Sequence, residues 1–206
     1  MVGVLFDFNG TLFFDEDKHL LAWSVISKEI RGSSLDTLEL QEKCNGVPNK
    51  EIISYMLGRQ ATDKEIEYYS NKKEEVYREK CREDTENFHL VNGVIEYFDH
   101  LKKNKIPFTI VSASIKENID FFVRSFQLEK WINVEDIIYD DGTFVDKKQM
   151  FLEGSNRLHV PIQECIIFED SSNGIQCANE VHCKEVIVIG KEGYRDFKND
   201  NIYRFF

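Results

Sequence analysis

The sequence predicts an α/β protein, a parallel sheet with helices on both faces, carrying an all-α segment inserted after its first strand. Three observations lead there. From residue 89 onward, short apolar runs alternate with amphipathic segments, the pattern of strands joined by helical crossovers. Before that, a lone apolar run is followed by a long block, 16–88, with helical periodicity and no convincing strand. Finally, several apolar runs end in polar residues, as parallel strands do when their carboxyl ends form a binding edge. A chain of 206 residues can build a core domain plus a smaller inserted one.

Val2 to Phe6 reads as a buried strand that delivers Asp7-Phe8-Asn9-Gly10-Thr11 at its end. Leu20, Leu21, Trp23, Val25, Ile26 and Ile30 mark a helix, and Leu35, Leu38 and Leu40 continue the helical theme. Pro48 suits the first turn of another helix through Ile52, Ile53 and Met56. Thr62 and Glu65 have the spacing of a capping box at the head of a long polar helix, whose charges form a solvated face. Val94 to Leu101 is amphipathic. Ile106 to Val111 is strand-like and ends in Ser112-Ala113-Ser114, with a helix over 115–126. Ile137 to Tyr139 is a strand before the Asp141-Gly142 turn, and a helix runs from about Lys148 to His159. Cys165 to Phe168 is a buried strand ending in Glu169-Asp170, with a helix after Ser171. Glu185 to Ile189 forms a further strand, and 202–206 a last short edge segment.

A formal net charge of −11 argues against a nucleic-acid or anionic-membrane binder, although a local metal ion can still draw an anionic substrate into a cleft. No apolar run is long enough to span a bilayer. The Val2–Phe6 run is too short for a signal-peptide core and lacks a basic start, so a cytoplasmic location is expected. The five cysteines are odd in number and form no C-x-x-C pair, which argues against a structural zinc site or disulfide framework and for reduced thiols. A monomer is expected.

Three strand ends carry the chemistry. The first gives Asp7, Asn9 and Thr11, the second Ser112 and Ser114, and the third Glu169 and Asp170. A parallel sheet brings them to one edge. Taken singly, each has a bland explanation: Asn9-Gly10 is a turn dipeptide and a serine after a strand is a common helix cap. Taken together and in this order, they resemble the motifs of the haloacid dehalogenase superfamily, whose members are mainly phosphatases. Its Asp-x-Asp-x-Thr pattern is matched by Asp7 to Thr11 except at Asn9, and its strand-ending Ser or Thr by Ser112. Its lysine near a later helix start is offered by Lys147 or Lys148, and its acidic pair by Glu169-Asp170. Ser112-Ala113-Ser114, Glu169-Asp170-Ser171 with Gly174-Ile175-Gln176, and His19 with Trp23 look most like the β-phosphoglucomutase-like branch. Asp140-Asp141-Gly142-Thr143 only mimics the first motif, because Tyr139 stands at the nucleophile position.

The resemblance implies a Rossmann-like core over 1–15 and 89–206 and a helical cap domain over 16–88. It implies Mg²⁺ as cofactor and a small phosphorylated metabolite as partner, with no nucleic acid and no membrane. Asp7 would be the nucleophile that forms an aspartyl phosphate. The metal would be held by Asp7, the backbone carbonyl of Asn9, Asp170 and, directly or through water, Glu169. Ser112, with the backbone of Ala113 and Ser114, would hold phosphoryl oxygens beside Thr11. A lysine, Lys147 in preference to Lys148, would neutralise charge. From the cap, His19 and Lys50 would face substrate. Trp23 is assigned to the cap core.

Asn9 departs from the pattern. The family's second aspartate protonates the leaving oxygen and then activates water, and an amide does neither; such help is worth about 10²–10⁴-fold. Four readings stay open: a substrate with a good leaving group such as an acyl phosphate, a proton from another residue such as His19, binding with little turnover, or a replacement made to trap a complex. Mutases of this branch place an arginine just after the segment matched by Gly46-Val47-Pro48, where this chain has Asn49 and Lys50. A mutase is therefore the weaker enzymatic reading.

Overall fold

The computed structural model describes residues 2–44, 47–190 and 193–204. In chain order the elements are β1 (Gly3–Phe6), α1 (Glu16–Arg31), α2 (Thr37–Lys43), α3 (Asn49–Leu57), α4 (Asp63–Glu83), α5 (Val94–Lys103), β2 (Phe108–Ile115) and α6 (Lys116–Phe126). They continue with β3 (Ile138–Asp140), α7 (Lys147–Arg157), β4 (Cys165–Glu169), α8 (Ser172–Glu180) and β5 (Glu185–Val188). The chain divides into two compact units, Met1–Phe14 with His89–Phe206, and Asp15–Phe88.

The first unit is built on a five-stranded, all-parallel sheet of order β3-β2-β1-β4-β5. β1 lies at its centre because each of its residues is buried, with Leu5 and Phe6 pointing to opposite faces. Leu5 enters a cluster with Val111, Ile138, Met150, Phe151 and Ile167, where α7 and α8 pack. Phe6 meets Phe98 and Tyr97 of α5 edge-on, at ring-centroid distances of 5.3 and 6.1 Å, and lies 4.8 Å from Phe168. Helices therefore cover both faces, as a sheet of near-continuous apolar strands requires. α7 can approach closely only because residue 154 is glycine: a Cβ there would stand 2.7 Å from Val111 Cγ2.

Two expectations need correction. The second strand does not end at Ser112-Ala113-Ser114, since β2 runs on through Ile115, where the helix was expected to begin. Its register on β3 shifts between Val111↔Ile138 and Ile115↔Asp140, so β2 bulges there while keeping its course. The last segment is not an edge strand: Asp200–Tyr203 is a 3-10 turn, capped by Asn199 Oδ1 on Asn201 N and anchored by Tyr97 OH on Ile202 O. Residues 205 and 206 lie outside the described residues.

The second unit is all-helical. Trp23 and Ile26 of α1 pack with Leu35, Ile52, Ile53 and Met56 in its core. The Thr62–Glu65 capping box forms at the head of α4, each side chain meeting the other's backbone N–H. Lys18 joins the start of α1 to the end of α4, with its Nζ 2.5 Å from Asp17 and 2.6 Å from Asp84. No helix of the described residues is long and apolar enough to cross a membrane.

Candidate active site

Because β2, β1 and β4 are neighbours, their carboxyl ends set Ser112, Asp7 and Glu169 side by side. The loop after β1 is folded tightly: the N–H groups of Thr11, Leu12 and Phe13 all donate to Phe8 O, and Gly10 N donates to Phe13 O at 2.7 Å. Phe8 and Phe13 are buried, and Phe8 stacks on Phe122 of α6 at 4.2 Å. The backbone bonds and this packing together hold Asp7 and Asn9 in place. Gly10 has φ +77°, and a Cβ on it would lie 2.1 Å from Asp170 Oδ2, so only glycine lets the two loops meet.

Asp7, Glu169 and Asp170 each offer a carboxylate oxygen within 4.8 Å of the others. Lys147, the first residue of α7, reaches into this group, with Nζ 2.7 Å from Asp7 Oδ1 and 2.6 Å from Glu169 Oε2. The contact with Glu169 is an ion pair by distance but not an aligned hydrogen bond, so the buried Oε2 has no hydrogen-bond partner. Lys148 points elsewhere, to Glu180 at 2.9 Å and Asp146 at 3.3 Å on the surface. Thr11 Oγ1 donates to Asp170 Oδ1 at 3.1 Å.

Burial, reinforced by the Glu169 charge, holds Asp7 well above the usual carboxylate range although Lys147 opposes this. The same two causes push Asp170 up to about 6. Burial pulls Lys147 down, but Asp7 and Glu169 outweigh it and keep the ammonium charged. Three carboxylates against one ammonium leave an excess of two negative charges when all are ionised. The all-oxygen donor set and that excess of negative charge together fit a hard divalent cation.

Asn9 Oδ1 accepts from Ser114 Oγ at 2.6 Å, with Ser112 Oγ 3.5 Å away. Ser112 is buried, whereas Ala113 beside it is exposed. The Asp140–Thr143 segment is a turn, in which Asp140 and Asp141 accept from the N–H groups of Gly142 and Thr143.

His19 and Lys50 belong to the helical unit. His19 Nδ1 lies 2.7 Å from Lys73 Nζ and its Nε2 lies 3.2 Å from Asp15 Oδ2, with the ring stacked on Tyr77. Tyr77 OH donates to the same Asp15 oxygen. Trp23 is buried. Lys50 is exposed near the start of α3. Gly46 lies outside the described residues.

Two residues that the sequence offered only as part of the branch resemblance, Ser171 and Gly174, have supporting roles it did not assign. Ser171 caps α8 through Gly174 N and also donates to Glu169 Oε1 at 2.7 Å. A Cβ at Gly174 would stand 2.2 Å from Glu169 Cδ, so the helix start is moulded around this carboxylate. A serine three residues before a glycine, directly after an acidic strand end, was the available signal.

A model of the haloacid dehalogenase-like hydrolase family matches residues 4–188. A family IA, variant 3 hydrolase of this type from Entamoeba histolytica is 35% identical, with a TM-score of 0.85 over 95% of this chain and 86% of that one. The β-phosphoglucomutase of Clostridium difficile shares the fold at 21% identity, with a TM-score of 0.74 over 100% of this chain and 97% of that one. The chloroplastic 5-amino-6-(5-phospho-D-ribitylamino)uracil phosphatase of Arabidopsis thaliana is 25% identical over 193 residues; these are 92% of this chain and 50% of that relative's length. Matched along most of its sequence and carrying the acidic strand-end cluster on a parallel sheet, the chain belongs to the haloacid dehalogenase-like hydrolases.

Proposed function

We propose that this chain is a Mg²⁺-dependent phosphatase of a small phosphorylated metabolite, with Asp7 as covalent nucleophile and the helical unit as its cap. The observation that carries this reading is the buried Asp7–Glu169–Asp170 cluster, whose charge Lys147 alone does not balance. Asp7, the Asn9 backbone carbonyl, Asp170 and Glu169 would hold the ion, which supplies positive charge to the carboxylates and to the phosphate they receive.

The other steps belong to the chain. Lys147 fixes Asp7 Oδ1 and favours its ionised form, opposing in part the burial and the Glu169 charge that favour the protonated one. The Asp7 carboxylate attacks phosphorus in line and the ester oxygen leaves, which splits one hydrolysis into two displacements. Ser112 and the N–H groups of the bulged segment 113–114 receive phosphoryl oxygens. Thr11 orients Asp170. Water then cleaves the aspartyl phosphate. The name of the plant relative, a phosphatase of a phosphorylated ribityl compound, supports a small phosphorylated substrate.

Asn9 favours a second reading, a catalytically weak binder of phosphorylated metabolites. Phosphate release from a panel of phosphorylated compounds separates the two. Multiple turnovers that need Mg²⁺ and vanish in Asp7→Ala support the enzyme; tight ligand binding with no turnover of any compound supports the binder.

A further inference from the structure

The structure fixes how the amide at position 9 is held. An amide oxygen only accepts, so the Ser114 hydroxyl, 2.6 Å away, points its hydrogen at Asn9 Oδ1, and Ser112 approaches the same atom. The nitrogen end of the group is a donor and never an acid near neutral pH. The serine hydroxyls that hold it exchange no proton there either.

His19 offers no replacement. A lysine ammonium has only donors, so Nδ1 of His19, 2.7 Å from Lys73 Nζ, accepts. Its Nε2 proton is then directed to Asp15 Oδ2 at 3.2 Å. Both ring nitrogens are engaged within the helical unit. Nor does Asn9 convert itself into aspartate: deamidation needs the Gly10 nitrogen to attack the Asn9 side chain, and that N–H is committed to Phe13 O at 2.7 Å.

Resting on the phosphatase reading, we infer that this chain acts on phosphoryl groups whose leaving group departs as a stable anion, acyl phosphates above all, and discriminates against alkyl phosphate esters. With an acyl phosphate, an Asp7 oxygen forms its bond to phosphorus as the bond from phosphorus to the acyl oxygen breaks. The electron pair leaves with a carboxylate that needs no proton. An alkoxide is too basic to leave in that way. In the second step water attacks phosphorus, Asp7 departs as carboxylate, and the water's protons go to the released phosphate and to solvent. No general base at position 9 assists this step, so it is the slower of the two. Asn9 serves throughout as a positioning donor, with Ser114 orienting it.

The test is Mg²⁺-dependent phosphate release from acetyl phosphate, 4-nitrophenyl phosphate, phenyl phosphate and glycerol phosphate. It compares the unaltered chain, its amide confirmed by peptide mass, with Asn9→Asp, the folding of both checked by circular dichroism. The unaltered chain is expected to lose kcat/KM, which reports leaving-group departure, from acetyl to glycerol phosphate more steeply than Asn9→Asp, by a factor of about 10²–10⁴, the usual worth of acid–base assistance. If Asn9→Asp does not fold, the drop between phenyl and glycerol phosphate in the unaltered chain carries the test, and a drop under about tenfold counts against the inference. Parallel slopes for the two proteins, or robust glycerol phosphate turnover by the unaltered chain, overturn the inference and leave the phosphatase reading intact. Activity in Asn9→Asp alone also overturns it. Silence of both folded proteins on every compound overturns the phosphatase reading itself.

Discussion

Replacing Lys147 by methionine keeps the volume of the side chain and removes the only ammonium within reach of Asp7 and Glu169 among the described contacts. At separations of 2.7 and 2.6 Å, each attraction is about 6 kcal/mol at an effective dielectric near 20, before the cost of burying the charges is subtracted. Removing one partner from a buried pair costs about 3–5 kcal/mol net, because the remaining charge stays desolvated. For Lys147→Met we expect a loss of that size at pH 8 in chelator, measured as the shift in urea denaturation. The loss should shrink towards pH 5, since Asp170, pushed up to about 6, and Asp7, also held well above the usual carboxylate range, then take up protons and relieve the uncompensated charge. Lys148→Met is the control. Its partners are exposed, and such pairs contribute about 0–1 kcal/mol. A Lys147→Met loss under about 1 kcal/mol at pH 8, or one that grows as pH falls, would refute the reasoning.

Gly174→Ala drives a methyl group into the Glu169 carboxylate, which cannot retreat because Ser171 N and Oγ hold its Oε1 at 3.0 and 2.7 Å and Lys147 Nζ lies 2.6 Å from Oε2. Overpacking of about 1–3 kcal/mol and weaker Mg²⁺ binding by calorimetry are expected, and unchanged affinity would contradict the account. Thr62→Ala breaks the capping box of α4 and should cost about 0.5–2 kcal/mol in thermal denaturation while leaving Mg²⁺ affinity alone. Stabilisation by Mg²⁺ should grow as pH rises from 4 through 6. In that window the metal-free native state keeps protons on Asp7 and Asp170 that the unfolded chain, with ordinary carboxylates, has released. Denaturation midpoints with and without Mg²⁺ at several pH values check this, and a gain that is flat or falls with pH counts against it.

Much of the fold was legible because strong local signals agreed with the tertiary solution. Val4-Leu5-Phe6 and Cys165-Ile166-Ile167-Phe168 are apolar on both faces, as strands in a doubly covered parallel sheet must be, and Thr62 with Glu65 announced a helix start. Where one residue's offset decides the chemistry, local patterning did not choose, and the preference for Lys147 came from the family resemblance alone. Lys147 and Lys148 are equivalent in composition but point about 100° apart on a helix. What turns Lys147 inward is the contact of Gly154 with Val111, two helical turns away. The bulge at 112–114 depends on pairing with β3 and has no local signature. The 3-10 turn at Asp200–Tyr203 was mistaken for a strand because a short apolar run is ambiguous until its partners are known. The hold of Ser114 on Asn9 spans two strand ends, 105 residues apart, and only the folded sheet joins them.

The most direct test of the account is to locate the phosphoryl group. The chain is mixed with acetyl phosphate and Mg²⁺, quenched in acid within the first turnover, digested and read by tandem mass spectrometry. The account predicts a labile phosphate on the peptide containing Asp7, absent in chelator and in Asp7→Asn. Phosphate release without any modified Asp7, or a phosphate mapped to Ser112 or another side chain, would contradict it.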